Sequence, residues 1–446
     1  MKRYALSIIA LCITLFMLCS CAKDDPTKAP APDAQIDLSA MSTGASASAV
    51  SIEGNVITVK SAGVYRIFGS SSDARIVVDS DKKADVTLLF DNATLICSGH
   101  APIYAKKANN VIITTKSGTS SIIENKDGYS KTAGEEDNVD SAVFSKCDIV
   151  FEGEGSLKIS CSEGNAVSAK DDLVVGGGEI TATAPGHAFE VNDSIKINGG
   201  SLTLSAGKDT LHTKNADDPK LGIFEMNGGT LELSAEDDAI RAVASITVNG
   251  GSINARKCDE GFKAEQIFIN GGEISITASA DGINAKTDAA DPSTVVCKLH
   301  ITNGNISIIS NEDAIDSNGS VTIDGGEVII YGPEKLLYGS GALDYGSTAT
   351  INGGKFIAFT CPGKAFSEDS TQAFLALNLA KRSEAADVVI RDDAGNVIYE
   401  GRAKIPFNSV QISSPEIQVG KTYTVSIGAK EIKVTQNELI TKIKES

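Results

Sequence analysis

The chain has 446 residues and an excess of acidic side chains, with 58 Asp and Glu against 40 Lys and Arg. The resulting net charge of −18 argues against nucleic acid or an anionic membrane surface as a partner. Tryptophan is absent, aromatic residues make up 5% of the chain and glycine occurs 42 times, which is typical of a soluble, turn-rich β protein.

The first 21 residues, "MKRYALSIIALCITLFMLCSC", have the basic start and short apolar run of an export signal. The run ends in a sequence that resembles a bacterial lipobox, which predicts cleavage before Cys21 and lipidation of its thiol. A plain secretory signal or a membrane anchor is the alternative. Residues 22–50 are predicted to form a flexible tether, and Asp24 and Asp25 resemble a surface-export signal of some Gram-negative anaerobes. We therefore expect an extracytoplasmic protein that is lipid-anchored to the outer membrane, and the cell surface and the periplasmic face both stay open.

Residues 51–362 contain a repeat, and its unit is an apolar strand, an N-G-G-like turn and a second apolar strand. Copies include "IKINGGSLTLS", "ITVNGGSINAR" and "IFINGGEISIT". The second turn residue recurs at Gly155, Gly178, Gly200, Gly229, Gly251, Gly272, Gly304, Gly326 and Gly354. Most spacings are 21 to 23 residues, and the longer ones contain the loops "TKNADDPK", "KTDAADPST" and "GPEKLLYGSGALDYG".

Each unit has room for a third strand, whose inward positions also recur in one phase. The apolar row is Val143, Val167, Phe189, Leu211, Ile240, Phe262, Ile283 and Ile315. A unit of this size cannot close its own core and must stack on its neighbours. We predict an all-β fold, a right-handed parallel β-helix of about 22-residue coils, with degenerate opening coils from residue 51 to about 107. A propeller or a leucine-rich repeat fits the period and the motif less well.

Residues 363–446 lack the repeat and are predicted to form a small C-terminal β domain that caps the open end of the solenoid. A hairpin is expected around Ala394, Gly395 and Asn396, followed by further strands. The six cysteines beyond the leader show no C-x-x-C spacing, and the repeat places them out of register with one another. We therefore expect mainly free, buried thiols.

One position before the third strand is acidic in five consecutive coils. We call this position the acid column; it reads Ser141, Asn165, His187, Asp209, Asp238, Glu260, Asp281 and Asp313. The position before it adds Asp237, Asp259 and Glu312. The position three residues after it, which we call the flanking row, reads Phe144, Ser168, Glu190, His212, Arg241, Lys263, Asn284 and Asp316. Stacked carboxylates repel each other, so the column requires compensation.

Three explanations of the column are open. Arg241 and Lys263 could neutralise it as a salt-bridge ladder, or the acids could face water as turn residues. We favour bound calcium, because five acids exceed two bases and Ca²⁺ prefers carboxylate oxygens. The predicted metal ligands are Asp209, Asp237, Asp238, Asp259, Glu260, Asp281 and Asp313, and the predicted ligand-binding residues are Arg241, Lys263, His212 and Asn284. The acidic loop "GEEDNVDSA" is either a second cation site or solvated.

A resemblance to a known family lies in the segment "DSAVFSKCDIVFEGEGSLKIS", in the recurring I-N-G-G coils and in the closing segment "SVQISSPEIQVGKTYTVSIG". In these segments the chain resembles a family of extracellular carbohydrate-binding β-helix proteins first recognised in cellulose-degrading clostridia. The resemblance implies a pectate-lyase-like fold, bound calcium, and binding of plant-wall or acidic polysaccharide without established catalysis. Matched residue by residue, the resemblance implies that the calcium and polysaccharide site is formed by Asp209, Asp238, Glu260, Asp281 and Asp313.

Three functions follow as hypotheses. The first is a monomeric, non-catalytic protein that binds an acidic or plant-wall polysaccharide with calcium. The second is a polysaccharide lyase acting on uronates, with Lys263 as the catalytic base; acidic neighbours would raise the pKa of that lysine, which disfavours this role. The third is an adhesin or scaffold in which the solenoid is a rod, although a rod needs no acid column.

Overall fold

A computed structural model describes residues 32–130, 139–218, 220–335 and 339–445. The predicted signal peptide, Cys21, the start of the tether and most of the "GEEDNVDSA" loop lie outside those residues. Within the described ranges the secondary structure is β-strand apart from one 3₁₀ helix, which confirms the all-β prediction. None of the helices described there has the length and apolar character needed to span a membrane.

The opening segment contains ten strands. They are β1 (Ala34–Asp37), β2 (Ser42–Thr43), β3 (Val50–Glu53), β4 (Val56–Val59), β5 (Gly63–Ser71), β6 (Arg75–Asp79), β7 (Val86–Cys97), β8 (Ile103–Lys107), β9 (Asn110–Thr115) and β10 (Ser120–Asn125).

The repeat region carries short strands at regular intervals. They are β11 (Ser141–Ser145), β12 (Asp148–Gly153), β13 (Ser156–Cys161), β14 (Asn165–Ala169), β15 (Asp172–Val175), β16 (Glu179–Ala184), β17 (Phe189–Val191), β18 (Ser194–Ile197), β19 (Ser201–Ala206), β20 (Leu211–Thr213), β21 (Ile223–Met226), β22 (Thr230–Ala235), β23 (Ile240–Ala242), β24 (Ser245–Val248), β25 (Ser252–Cys258), β26 (Phe262–Ala264), β27 (Gln266–Ile269), β28 (Glu273–Ala278), β29 (Ile283–Ala285), the 3₁₀ helix η1 (Pro292–Thr294), β30 (Lys298–Ile301), β31 (Asn305–Ile309), β32 (Ile315–Ser317), β33 (Ser320–Ile323), β34 (Glu327–Tyr331), β35 (Ala349–Ile351) and β36 (Lys355–Thr360).

The C-terminal segment adds seven strands. They are β37 (Phe374–Ser383), β38 (Asp387–Asp392), β39 (Val397–Arg402), β40 (Phe407–Ser413), β41 (Thr422–Ile427), β42 (Lys430–Thr435) and β43 (Ile440–Lys444).

The coils stack through three parallel ladders, one for each strand of the unit. Ladder A runs β9-β12-β15-β18-β21-β24-β27-β30-β33-β35. Ladder B runs β7-β10-β13-β16-β19-β22-β25-β28-β31-β34-β36. Ladder C runs β4-β6-β8-β11-β14-β17-β20-β23-β26-β29-β32. Three strands per coil in long parallel sheets are consistent with a solenoid-like fold; the handedness of the coil stays a prediction.

The alternating apolar residues of each ladder form the core. In ladder A Ile195 and Ile197 are buried, as are Leu202 and Leu204 in ladder B. The predicted apolar row of ladder C is also buried throughout, from Val143 to Ile315. The alternation therefore predicts correctly which side of each strand points inward.

The N-G-G turns stack on one another through their asparagines. The Asn227 side-chain amide donates to Asn198 Oδ1 at 3.0 Å, and Asn249 donates to Asn227 at 2.8 Å. The second glycine of the turn has a positive φ, for example +87° at Gly229, a conformation that side-chain-bearing residues rarely adopt. Each turn is thus fixed by its own glycine and by the turn of the preceding coil.

The beginning of the fold differs from the predicted tether of residues 22–50. Strand β1 pairs in parallel with β5 and β2 pairs with β1, so residues 34–43 already belong to the sheet. The reason is that Ile36 and Leu38 alternate and bury their side chains completely against the opening coils. The sequence interpretation missed this because the surrounding residues are small and polar.

The C-terminal strands cover the last coil. Strand β40 pairs antiparallel with β36 at the end of ladder B, and β37 pairs with both β40 and β43. The remaining strands form an antiparallel sheet in the order β39-β38-β41-β42, and the predicted hairpin joins β38 to β39 around Gly395. A separate apolar cluster, including Phe359 and Phe407, packs beneath these strands.

The six cysteines of the described region form no disulfide bond with one another, as predicted. Cys97, Cys147, Cys258, Cys297 and Cys361 are buried and Cys161 is partly buried. Burial raises the pKa of the Cys258 thiol to about 12, so this thiol is inert as a nucleophile at neutral pH.

Candidate functional site

The acid column lies at the turn that leads into ladder C. The parallel register pairs Leu211 with Ile240 and Ile240 with Phe262, so the positions just before these strands stack coil on coil. The same register places the flanking row side by side, with His212 next to Arg241 and Arg241 next to Lys263. The predicted alignment of both rows is therefore confirmed.

Most of the column is buried. The exposed fraction is 1% for Asp209, 0% for Asp238, 9% for Glu260 and 8% for Asp281, while Asp313 is partly exposed. The hypothesis that the acids simply face water is therefore wrong for the centre of the column. Burying an ionised carboxylate is costly unless it is paired, hydrogen-bonded or bound to a metal.

Several column side chains hold the next coil in place by accepting a hydrogen bond from its backbone. The pairs are His187 N–H to Asn165 Oδ1 at 2.7 Å, Asp238 N–H to Asp209 Oδ1 at 2.9 Å, Asp313 N–H to Asp281 Oδ1 at 2.9 Å and Gly341 N–H to Asp313 Oδ1 at 2.7 Å. This role was not predicted from the sequence. A usable signal is that Asn and Asp both occur at this position of the repeat, because both side chains present an acceptor oxygen.

Two bases neutralise the centre of the column. Lys263 Nζ lies 3.6 Å from Asp238 Oδ2 and 3.3 Å from Glu260 Oε2. Arg241 lies 3.9 Å from Asp238 Oδ2, but its closer partner at 2.6 Å is Asp288 in the loop after β29. The salt-bridge ladder therefore exists, but it reaches only part of the column.

The pKa values of the column show which buried carboxylates lack enough positive charge nearby. Burial, reinforced by Glu260 and Asp209 and opposed by Lys263, raises the pKa of Asp238 to about 7. Burial and the neighbouring carboxylates of Asp316 and Asp313 raise the pKa of Asp281 to about 7. At neutral pH these carboxylates would therefore be stabilised by an additional positive charge.

Several buried oxygens of the column and the flanking row have no hydrogen-bond partner among the described residues. They are Asp209 Oδ2, both carboxylate oxygens of Asp238, Glu260 Oε2 and Asn284 Oδ1. Asp209, Asp237 and Asp238 each offer one oxygen, and these atoms lie within 4.8 Å of one another. Carboxylate and amide oxygens are the donors that Ca²⁺ prefers, so the residues fit the cation that the sequence predicts.

The predicted ligands are not all brought together. Asp259 is exposed, and its carboxylate accepts a hydrogen bond from Ser279 Oγ at 2.8 Å. Asn284, a buried residue of the flanking row, donates to Asp281 Oδ2 at 2.9 Å and so stabilises that carboxylate. His212 Nδ1 lies 2.7 Å from Asp209 Oδ2.

A cavity of about 270 Å³ opens beside the flanking row. Its basic lining residues are His212, Lys214, Arg241, Lys263 and Lys286, and Glu265 and Asp288 are the acids at its wall. Lys214 Nζ is anchored by Glu190 at 2.6 Å and Arg241 by Asp288, so two of the bases are held in place. An acidic protein thus presents a locally basic cavity directly above its buried carboxylates.

Comparison with known proteins gives three similarities. Residues 53–331 and 256–361 match the family described as carbohydrate-binding domain-containing protein. A protein of that description from Acetivibrio thermocellus is 30% identical over 219 residues, which cover 49% of this chain and 77% of the relative. A solved polysaccharide lyase-like protein from C. thermocellum, a gadolinium derivative, aligns with a TM-score of 0.48 and 25% identity over 54% of this chain and 92% of that chain. The family match includes the whole acid column and the cavity beside it.

Proposed function

Because the chain belongs to the family of carbohydrate-binding domain-containing proteins, we propose that it binds an acidic polysaccharide in the cavity beside ladder C. The observation that carries this proposal is the basic lining of that cavity on a chain of net charge −18. Guanidinium and ammonium groups pair with carboxylates, and a uronate offers one carboxylate per sugar. The absence of tryptophan disfavours the stacking platforms that neutral glycans use.

Calcium belongs to this proposal as a structural and bridging cation. Asp209, Asp237 and Asp238 would hold it, with Glu260 and Asp281 further along the column. When bound, Ca²⁺ supplies positive charge to buried carboxylates and coordinates oxygen ligands. The protein would contribute fixed oxygens on stacked coils and the bases that orient the glycan.

The proposal also includes the finer features that the sequence predicts. The coils wind as a right-handed parallel β-helix, and Cys21 carries a lipid that anchors a monomer to the outer membrane. Binding is non-catalytic, and the acidic or plant-wall character of the glycan follows from the basic cavity and from the family resemblance.

The test is affinity electrophoresis of the full chain in gels containing polygalacturonate or a neutral glucan, with calcium or with EDTA. We expect retardation by polygalacturonate with calcium and little retardation by the glucan. Lys286→Gln removes an exposed base of the cavity and should weaken retention about tenfold, the equivalent of one charged hydrogen bond.

Lys158→Gln is the matched control, because Lys158 is an exposed strand lysine on ladder B. Its retention should equal that of the unchanged protein. Equal losses in both variants, or no retardation by polygalacturonate under any condition, would contradict the proposal.

The lyase alternative requires Lys263 to act as a base. Its Nζ lies between two carboxylates, and although burial alone would lower its pKa, Asp238 and Glu260 raise it. A lysine that stays protonated cannot accept the C5 proton of a uronate. Incubation with polygalacturonate and calcium should therefore give no ultraviolet absorbance from unsaturated products.

A further inference from the structure

Two histidines converge on one carboxylate at the N-terminal side of the acid column. His187 Nδ1 lies 3.3 Å and His212 Nδ1 lies 2.7 Å from the same oxygen, Asp209 Oδ2. The three atoms lie within 4.8 Å of one another, and the two imidazole rings meet edge to face with centroids 4.6 Å apart. The repeat creates this arrangement. His187 is a column residue, Asp209 is the column residue of the next coil, and His212 is the flanking-row residue of that same coil.

The three converging atoms are buried, and none of them has a hydrogen-bond partner in the part of the chain that the structure describes. Asp209 is 1% exposed and His187 is 8% exposed, and neither ring nitrogen meets hydrogen-bond geometry toward Asp209 Oδ2 despite the short distances. A simple pair of imidazole N–H donors on a carboxylate would satisfy that geometry. Three unpartnered donor atoms facing one point are the arrangement expected of metal ligands.

The surroundings support the same conclusion. The other oxygen of Asp209 accepts the Asp238 N–H at 2.9 Å, which fixes the orientation of the carboxylate, as outer partners of metal ligands do. The nearby Glu190 is already occupied by Asn165 at 2.8 Å and Lys214 at 2.6 Å. His187 and His212 each line a cavity, so the site lies just beneath the surface.

We infer that His187, Asp209 and His212 form a binding site for a transition-metal dication of the Zn²⁺ class, which shares only Asp209 with the calcium ligands proposed above. Imidazole nitrogen suits Zn²⁺, Ni²⁺ or Cu²⁺ and is a poor ligand for Ca²⁺. Bond lengths of about 2.0 to 2.1 Å in a tetrahedral zinc site separate the ligand atoms by about 3.3 Å. The distance from His187 Nδ1 to Asp209 Oδ2 has this value, and His212 Nδ1, at 2.7 Å from the same oxygen, would move slightly outward on binding. Two histidines and one aspartate leave a fourth position for water or substrate.

The test begins with the full chain after removal of metals with EDTA. Zn²⁺ is titrated calorimetrically in the presence of excess Ca²⁺, which occupies the oxygen ligands. We expect one zinc per chain that calcium does not displace, and Co²⁺ in its place should give the intense visible absorption of a tetrahedral site. No zinc binding, or displacement of zinc by calcium, overturns the inference.

Substitutions identify the ligands. His187→Gln and His212→Gln should each weaken zinc binding by at least about 100-fold, since loss of an outer partner alone already costs about 10- to 100-fold. The matched control is His300→Gln, because His300 Nε2 also lies 2.7 Å from a carboxylate, that of Asp324, but among the described residues it belongs to no group of three converging ligands. Zinc binding that is unchanged in both site variants, or that falls equally in the control, overturns the inference.

A second measurement needs no variant and covers the case in which a substituted chain fails to fold. Diethyl pyrocarbonate modifies accessible imidazole nitrogens, and mass spectrometry locates the modified histidine. Zinc should protect His187 and His212 in the unchanged protein and should leave the modification of His300 as it is. Modification of all three to the same extent with and without zinc contradicts the site.

Discussion

Lys263 is the residue on which the centre of the acid column depends. Its ammonium group is 3.3 to 3.6 Å from two carboxylates, and its side chain is only 16% exposed. Arg241 is shared with Asp288, so it compensates Asp238 less directly. A buried ion pair adds little compared with apolar packing, but loss of one partner leaves an uncompensated buried charge.

We therefore expect Lys263→Met to lower the free energy of unfolding by about 3 kcal/mol in the absence of divalent cations. Lys257→Met is the control, because the ion pair of Lys257 with Glu236 is more than half exposed and such pairs contribute about 0 to 1 kcal/mol. Urea unfolding followed by circular dichroism gives both values. Equal effects of the two substitutions would contradict the role given to Lys263.

At the level of single residues, the sequence predicts where a side chain lies in the coil better than it predicts which side chains it contacts. The repeat places Asp209, Asp238 and Lys263 correctly in stacked rows, because the parallel register fixes each position of the coil. His187 breaks the acidic pattern, so the repeat alone does not predict a metal ligand at that position. Its contact with Asp209 arises between coils, and only the structure shows that both imidazoles place a nitrogen within 3.3 Å of one carboxylate oxygen.

The N-G-G turn is the element that sets the stacking of the coils. A Cβ atom at Gly229 would lie 2.8 Å from Gly199 C and from Gly200 O, backbone atoms of the coil below. Gly395, in the C-terminal hairpin, has nearly the same φ of +89° but no atom within 4 Å of such a Cβ. The two glycines thus share the conformational requirement and differ only in close contact.

We expect Gly395→Ala to cost about 1 kcal/mol, which is the strain of a positive φ, and Gly229→Ala to cost at least about 2 kcal/mol more. The extra cost arises because the turn must move away from the coil below and weaken the asparagine ladder. Thermal unfolding by circular dichroism compares the two variants. If both melt at the same temperature, close stacking does not explain the glycine of the repeat.

The strands themselves are largely predictable where the repeat is regular. In ladder C the inward row was identified from its period alone, and every pairing from Val143 to Ile315 agrees with it. Strand β1 was missed because a strand of four residues carries too few alternations to be recognised. The cross-coil bonds of Asn165 and Asp281 were missed because they depend on distances between coils.

For the whole molecule the central problem is charge. A chain of net charge −18 would have to overcome general repulsion to bind the anionic glycan proposed above. In that proposal the basic residues of the cavity would provide local attraction, and a cation in the column would reduce the negative charge beneath it. Stability and ligand binding are therefore expected to depend on the same cations, since the buried acids lie next to the binding cavity.

This coupling makes calcium removal the decisive measurement for the whole protein. A cation that binds only the folded state stabilises it by about 2.7 kcal/mol when its concentration is 100 times its Kd. We expect EDTA to lower the melting temperature, calcium to restore it, and magnesium to restore less, because Mg²⁺ demands a stricter octahedral geometry. Sodium chloride at matched ionic strength controls for screening of the net charge.

Asp238→Asn should markedly reduce the stabilisation by calcium, because Asp238 contributes a buried carboxylate whose two oxygens accept no hydrogen bond from the described residues. The same substitution at Asp387, an exposed acid paired with Arg402, removes equal charge far from the column and should leave the calcium effect intact. Calorimetric melting of the three proteins with and without calcium separates these outcomes. If sodium chloride matches calcium, or if both variants respond as the unchanged protein does, the acid column is stabilised by its own bases and backbone hydrogen bonds, without a bound divalent cation.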